Sequence, residues 1–285
     1  MCATRCRGVD PHRPENLPVS FLVSLLTPFD ARGRVDLAKL RAHVLWLAAH
    51  GVDGFVTGGS AGEFLYLSDR EREAIQRTVL DSSMGKQVIA CTWDPSPTTT
   101  AYLTDAAVAQ GAAAVLLPPP LYYQLDDVAL ESWFRPTADK GRVLTLHDPT
   151  RFVTDISPNR YAFLKEAGLV QGLLDASDDP WRIRRLAAEH PRQIWAADDR
   201  GLVGLQGIEG LAGFVSVLAN VWPGFCLRVW RGDATLGRAV VERHAKVQQA
   251  GGLRALKSLM RMGCRPPLVA PADEQLVGLP PPESP

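Results

Sequence analysis

The 285-residue chain has the length of one barrel-sized domain, and 46% hydrophobic with 22% charged side chains is enough apolar content for a full core. Equal numbers of basic and acidic side chains, 31 each, leave no net charge, which argues against a nucleic-acid partner and against a polybasic membrane contact. No apolar run approaches the roughly 18 residues of a membrane span. The five cysteines (Cys2, Cys6, Cys91, Cys226 and Cys264) are odd in number and irregular in spacing, so no disulfide framework is expected and the thiols are read as reduced and cytoplasmic.

Residues 1–17 are rich in Pro, Arg and Cys and carry no apolar stretch of the secretory kind, so they are expected to form a disordered tail. Short apolar runs then alternate with amphipathic stretches. A strand is predicted over 19–26. A helix follows from Asp36, with Leu37, Leu40, Val44 and Leu47 on one face and Gly51 as its stop. The second strand is predicted over 54–57, and the next helix opens with Ser68 and Glu71 in capping-box spacing. Strands are predicted over 87–93, 113–117, 143–146, 169–174, 193–196 and 213–217. Ser157-Pro158 and Asp179-Pro180 read as cap-plus-proline helix starts between them.

Strands alternating with helices imply parallel pairing and right-handed crossovers. Eight units imply an α/β fold, a (β/α)8 TIM barrel over 18–222, with a C-terminal helical extension over 223–272. The Pro-rich end, 273–285, is expected to fray. Sites on such barrels lie at the C-terminal ends of the strands. The second strand delivers Gly58-Gly59-Ser60-Ala61-Gly62-Glu63, a turn able to aim N–H groups and a hydroxyl at an anion. The fourth delivers Tyr122 and Tyr123, the fifth Leu146-His147-Asp148 and Arg151, the sixth Leu174-Asp175, the seventh Asp198 and Asp199. Tyrosine, imidazole and carboxylate are groups for proton transfer, though a charged strand-end loop is an ordinary feature of the fold. Asp178 and Asp179 read most simply as cap and first-turn charges.

Taken in order, these segments resemble the dihydrodipicolinate synthase and N-acetylneuraminate lyase family. The resemblance rests on Leu26-Thr27-Pro28-Phe29, Gly59-Ser60-Ala61-Gly62-Glu63, Pro120 to Tyr123, Gly213-Phe214-Val215-Ser216-Val217 and Leu256-Lys257 through Leu268, and it covers roughly residues 19 to 270. It implies a class I pyruvate-dependent lyase assembled as a dimer or tetramer. That family carries a Schiff-base lysine within Gly-Ile-Lys-Glu-Ala-Ser. Here the segment reads Gly172-Leu173-Leu174-Asp175-Ala176-Ser177, so Leu174 takes the lysine position. Leu146 takes the position of the family's relay tyrosine, while Ser60 and Tyr122 match the other relay hydroxyls. Leucine has no nucleophile and can form no imine.

Three functions are compatible with these residues. In the first, the chain has lost aldolase and lyase turnover and binds a 2-oxo acid or other carboxylate through Gly59, Ser60, the Ala61 backbone, Asp148 and Arg151, or pairs with an active paralogue in a hetero-oligomer. In the second, His147, Asp148, Asp175, Asp198 and Asp199 supply acid–base or metal-assisted lyase chemistry, although no short-spaced metal motif occurs. In the third, one of the six lysines (Lys39, Lys86, Lys140, Lys165, Lys246 and Lys257) is relocated into the mouth; all six are predicted on helices or at the opposite end of the barrel. No cofactor and no resident metal is called for by the first reading.

Overall fold

The computed structural model describes residues 19–284; the expected N-terminal tail, with Cys2 and Cys6, lies outside them. Eight strands, β1 (Ser20–Ser24), β2 (Gly54–Thr57), β3 (Gln87–Cys91), β4 (Ala114–Leu116), β5 (Val143–His147), β6 (Gly172–Asp175), β7 (Ile194–Ala197) and β8 (Gly213–Ser216), close into a barrel in sequence order. Every pairing is parallel, and β8 returns to β1 with Phe214 opposite Phe21.

The helices α1 (Leu37–Ala49), α2 (Asp69–Ser82), α3 (Pro97–Ala109), α4 (Asp127–Ala138), α5 (Pro158–Glu166) and α6 (Pro180–Glu189) follow the first six strands. Their starts are set locally. Ser68 and Glu71 form a reciprocal capping box, Ser157 accepts from Arg160 N, and Asp179 accepts from both Trp181 N and Arg182 N. Between β7 and β8 the chain runs through turns without an α-helix. After β8 come α7 (Pro223–Trp230), α8 (Gly237–Gln249) and α9 (Leu253–Leu259). The first of these three follows β8 as the barrel's own last helix, so the extension proper begins with α8.

Alternation along each strand turns every second side chain into the lumen. The lumen is filled by Val56, Ile89, Leu116, Leu144, Leu174, Trp195 and Val215, one from each of β2 to β8, with no room for a water molecule between them. Trp195 needs space on both flanks. A Cβ on Gly172 would meet its ring at 2.9 Å and one on Gly213 at 3.0 Å, so glycine on β6 and β8 is what admits the indole. The barrel is a packed core with no through channel. No helix among the described residues is long and apolar enough to cross a membrane.

The C-terminal end departs from expectation. Residues 273–276 form a 3-10 turn, and the chain beyond it is docked: Trp222 Nε1 donates to Pro281 O at 2.8 Å, and Glu283 N donates to Val221 O at 3.1 Å. Proline content suggested fraying, but prolines also lower the cost of fixing an extended segment once it has partners.

Candidate functional site

The lumen-facing ends of the strands have the parity of the packed layer: Ser24, Cys91, Leu146, Leu174 and Ala197. Leu146 and Leu174 are register partners on adjacent strands, so two aliphatic side chains stand together where β5 and β6 open to the mouth. Cys91 carries no motif in the sequence, although its parity with Ile89 places it in the lumen. Burial raises its thiol pKa, with Arg72 opposing more weakly, so it rests as a protonated thiol and not as an activated nucleophile.

His147 and Asp175 are also register partners, but one residue further along each strand, and they face the helices. The Asp175 carboxylate is fully buried. It accepts from Ser177 N at 3.0 Å, Ser177 Oγ at 2.6 Å and Arg182 Nε at 2.6 Å, while Arg182 Nη2 donates to Ile156 O at 2.6 Å. This fastens the end of β6 to α6 and to the loop before α5. His147 Nδ1 lies 3.1 Å from Asp155 Oδ1, and burial lowers its pKa against the pull of Asp175.

The remaining carboxylates of the acid–base reading are likewise engaged. Asp148 accepts from Thr150 N at 3.0 Å, from Thr150 Oγ1 at 2.6 Å and from Arg151, which holds the turn after β5. Arg151 is therefore already paired. Asp199, buried and with its pKa raised by that burial, accepts from Ser216 Oγ, from Val217 N at 2.9 Å and from Leu218 N at 2.9 Å. Asp198 pairs with Arg200 at 2.6 Å. Among the described residues no group of three or more His, Cys, Asp or Glu side chains is arranged to hold a metal. The acid–base cluster expected from the sequence is thus distributed over turns and caps behind the strand ends.

The loop after β2 is built differently. Residues 60–62 form a 3-10 turn whose own hydrogen bonds use the N–H groups of Gly62 and Glu63, leaving those of Ser60 and Ala61 outside the turn's pairing. Ser60 is exposed, with Ala61 buried beside it. Thr27 Oγ1 donates to Gly62 O at 2.7 Å from the end of the β1 segment. Glu63 then adopts φ 60°, ψ 34°, a left-handed conformation that costs a non-glycine residue about 1–2 kcal/mol. Its side chain explains how the conformation is held: Glu63 Oε1 is ion-paired to Lys257 Nζ of α9, and both side chains are shut away from water. Lys257 also lies over the Phe29 ring, 4.3 Å from its centroid. Burial lowers the Lys257 pKa, with the Glu63 hydrogen bond pulling it back up. Glu63 Oε2 has no hydrogen-bond partner among the described residues.

The β1 and β8 side of the mouth is tied by Asn220. Its Oδ1 accepts from Leu26 N at 3.2 Å and lies 3.0 Å from His43 Nε2, and its Nδ2 donates to Ser24 O at 2.7 Å. Burial drives the His43 pKa down to about 4, against the Asn220 hydrogen bond.

Tyr122 does not join Ser60. It is 85% exposed, with the Tyr123 ring as neighbour at 6.1 Å. The lysines also have other partners. Lys39 donates to Arg261 O, Lys140 pairs with Asp105 at 2.5 Å, Lys165 lies 3.3 Å from His190 Nδ1, and Lys246 donates to Gly278 O at 3.3 Å. Lys86 immediately precedes β3, at the closed end of the barrel. Lys257 reaches the β2 loop through Glu63, and it is held there without solvent access.

The model of the dihydrodipicolinate synthetase family matches residues 18–248. The chain belongs to that family. Within it, a 4-hydroxy-tetrahydrodipicolinate synthase of Pseudomonas aeruginosa is 30% identical over 238 residues, covering 80% of this chain and 81% of its own length. Among solved structures, a dihydrodipicolinate synthase of Bacillus anthracis superposes with a TM-score of 0.81 at 23% identity, over 92% of this chain and 96% of that one. The Acinetobacter baumannii enzyme, crystallised in complex with pyruvate, gives 0.79 at 24% identity, over 90% and 94%. At these identities the structural matches establish the fold. The family's lyase and aldolase scaffold, a class I aldolase-type barrel, is the one this chain adopts.

Proposed function

We propose that this chain is a family member that binds a small carboxylate, foremost a 2-oxo acid, at the Ser60–Ala61 turn and performs no Schiff-base aldolase or lyase turnover. The observation that carries the reading is the adjacent pair Leu146 and Leu174 at the lumen ends of β5 and β6. Neither can form an imine or carry a proton. No lysine among the described residues faces the lumen. Support for the carboxylate comes from the turn with two N–H groups outside its own pairing, and from the pyruvate held by the Acinetobacter relative. Gly59 contributes close backbone approach, and Ser60 a hydroxyl. Tyr122, Asp148 and Arg151 belong to the rim of this site.

The rim bears on assembly. Tyr122, Tyr123, Val128 and Trp181 are 85%, 73%, 78% and 83% exposed, all on elements that follow β4 and β6 at the mouth end. Such exposed apolar side chains fit a homo-oligomer in which a second copy covers them, and in the regulatory form of the proposal the covering chain is an active paralogue. The cytoplasm is the compartment in which such a protein would work.

The test is borohydride reduction in the presence of pyruvate, read by intact mass, together with calorimetric titration of pyruvate. Saturable binding without a mass increase is the expected outcome. An adduct of one reduced pyruvate would overturn the proposal, and absence of any pyruvate or other 2-oxo acid binding would remove its carboxylate half.

A further inference from the structure

A cavity of about 670 Å³ lies outside the barrel wall, between α7, α8, the end of α1 and the docked tail. No residue of the mouth lines it, so its ligand is independent of the one proposed for the mouth. Its volume falls in the range of small-molecule sites, roughly 300–1,000 Å³. Its walls combine Trp222 and Phe225 with Arg228, Arg231, Arg243, His50 and, among the described residues, a single carboxylate, Glu283.

That carboxylate indicates what the cavity takes. Helix α7 begins with Pro223, which has no N–H, and its next two N–H groups converge on one carboxyl: Gly224 N on Glu283 Oε2 at 2.7 Å and Phe225 N on Glu283 Oε1 at 2.8 Å. The seat is thus a working carboxylate clamp, filled by the chain's own tail. Beside it, Arg243 is stacked, with its guanidinium carbon 3.8 Å from the Phe225 ring centroid and 4.8 Å from that of Trp222. Stacking fixes the guanidinium plane before any ligand arrives, which reduces the ordering cost of binding. Neither Arg243 nor Arg231 has an ion pair or hydrogen bond from its guanidinium to another described residue. The third lining arginine, Arg228, is neutralised by Asp233 at 2.6 Å. Among the described residues, two guanidinium groups without an ion pair of their own therefore face the cavity against one carboxylate, a surplus of one positive charge without counting His50.

We infer that this cavity binds a small polyanion, a molecule with two or more carboxylate or phosphate groups, and that Glu283 is the built-in occupant of one of its anion subsites. An incoming anion takes the seat at α7, while the second anionic group meets Arg231 and Arg243. Binding then displaces the Glu283 carboxylate from α7, so occupancy of that seat by the ligand and by Glu283 is mutually exclusive, while Pro280 and Pro281 remain part of the wall.

Calorimetric titration of the full chain with citrate and with pyrophosphate at low ionic strength tests this. One saturable site is expected for at least one probe. Glu283→Gln should tighten it about 3–10-fold by removing the internal competitor, and Arg231→Ser/Arg243→Leu should weaken it at least about tenfold, which corresponds to about 1.4 kcal/mol. Pyruvate binding should be the same in the double variant as in the wild type, which separates failure here from failure at the mouth. Absence of saturable binding of both probes to the wild type and to Glu283→Gln would overturn the inference, as would affinity that the arginine substitutions leave unchanged. Unchanged affinity in Glu283→Gln would overturn the role given to the tail.

Discussion

The two sides of the barrel mouth are built on opposite principles. At the ends of β5 and β6 the lumen positions are leucines, and the charged residues beside them are turned outward into turns and helix caps. At the ends of β1 and β2 the backbone itself is the polar surface, and it is secured from behind by Glu63 with Lys257 and by Asn220 with His43. The difference teaches that a braced backbone loop and the side chains lining the rest of the mouth are built independently on one scaffold. The loop depends on long-range bracing, whereas the ends of β5 and β6 are held by local aliphatic packing of Leu146 and Leu174.

The largest blow to this contrast should come from Lys257→Met. Removing one partner of a buried ion pair strands the other charge, so a loss of about 3–5 kcal/mol in urea unfolding is expected. The double variant Glu63→Gln/Lys257→Met should regain most of it. A single variant as stable as the wild type would mean that the pair braces nothing. On the other side, Leu174→Lys places an ammonium among Leu146, Leu144 and Trp195, and should cost about 3 kcal/mol without trapping pyruvate, because Leu146 still supplies no proton relay. Trapping by this single variant would show the mouth to be chemically intact apart from one residue.

The smallest effect is conditional on pH. His43 has its folded pKa lowered to about 4 from 6.5, so the unfolded chain binds the extra proton between those values. Its contribution is present above pH 6.5, and is lost as the pH falls towards 4, amounting to about 3 kcal/mol at most. Replacing His43 with Gln, which keeps a donor for Asn220, should flatten that part of the stability profile. An unchanged acid slope would locate the titration elsewhere.

Much of the scaffold was legible because its signals are local. Caps at Ser68, Ser157 and Asp179 sit where the sequence places them, and the apolar runs mark all eight strands. The orientation of the site was legible only in part. Period-two alternation means that Leu146 and His147, or Leu174 and Asp175, cannot both face the lumen. Once the leucines are assigned inward, the outward course of His147 and Asp175 is fixed, yet their engagement with Asp155 and Arg182 depends on how the next loops fold back. The role of Lys257 was not legible. On α9 it reads as one more helical lysine, and only tertiary packing carries it to Glu63. The docked tail escaped notice for a similar reason, since the partner of Glu283 is a pair of main-chain amides that no side-chain motif announces.

The ion pair between Glu63 and Lys257 joins positions 194 residues apart. During synthesis, β2 and its loop emerge long before the segment that completes them. Until α9 arrives, Glu63 lacks the Lys257 counter-charge, and the mouth loop is held only by its own turn and by Thr27. The barrel strands close with β8, but the turn after β2 gains its buried ion pair only from the last α-helix of the described chain. A fragment cut after β8 should therefore lack the brace on this loop even if its strands pair, which makes the C-terminal extension the last-made part of the mouth's support.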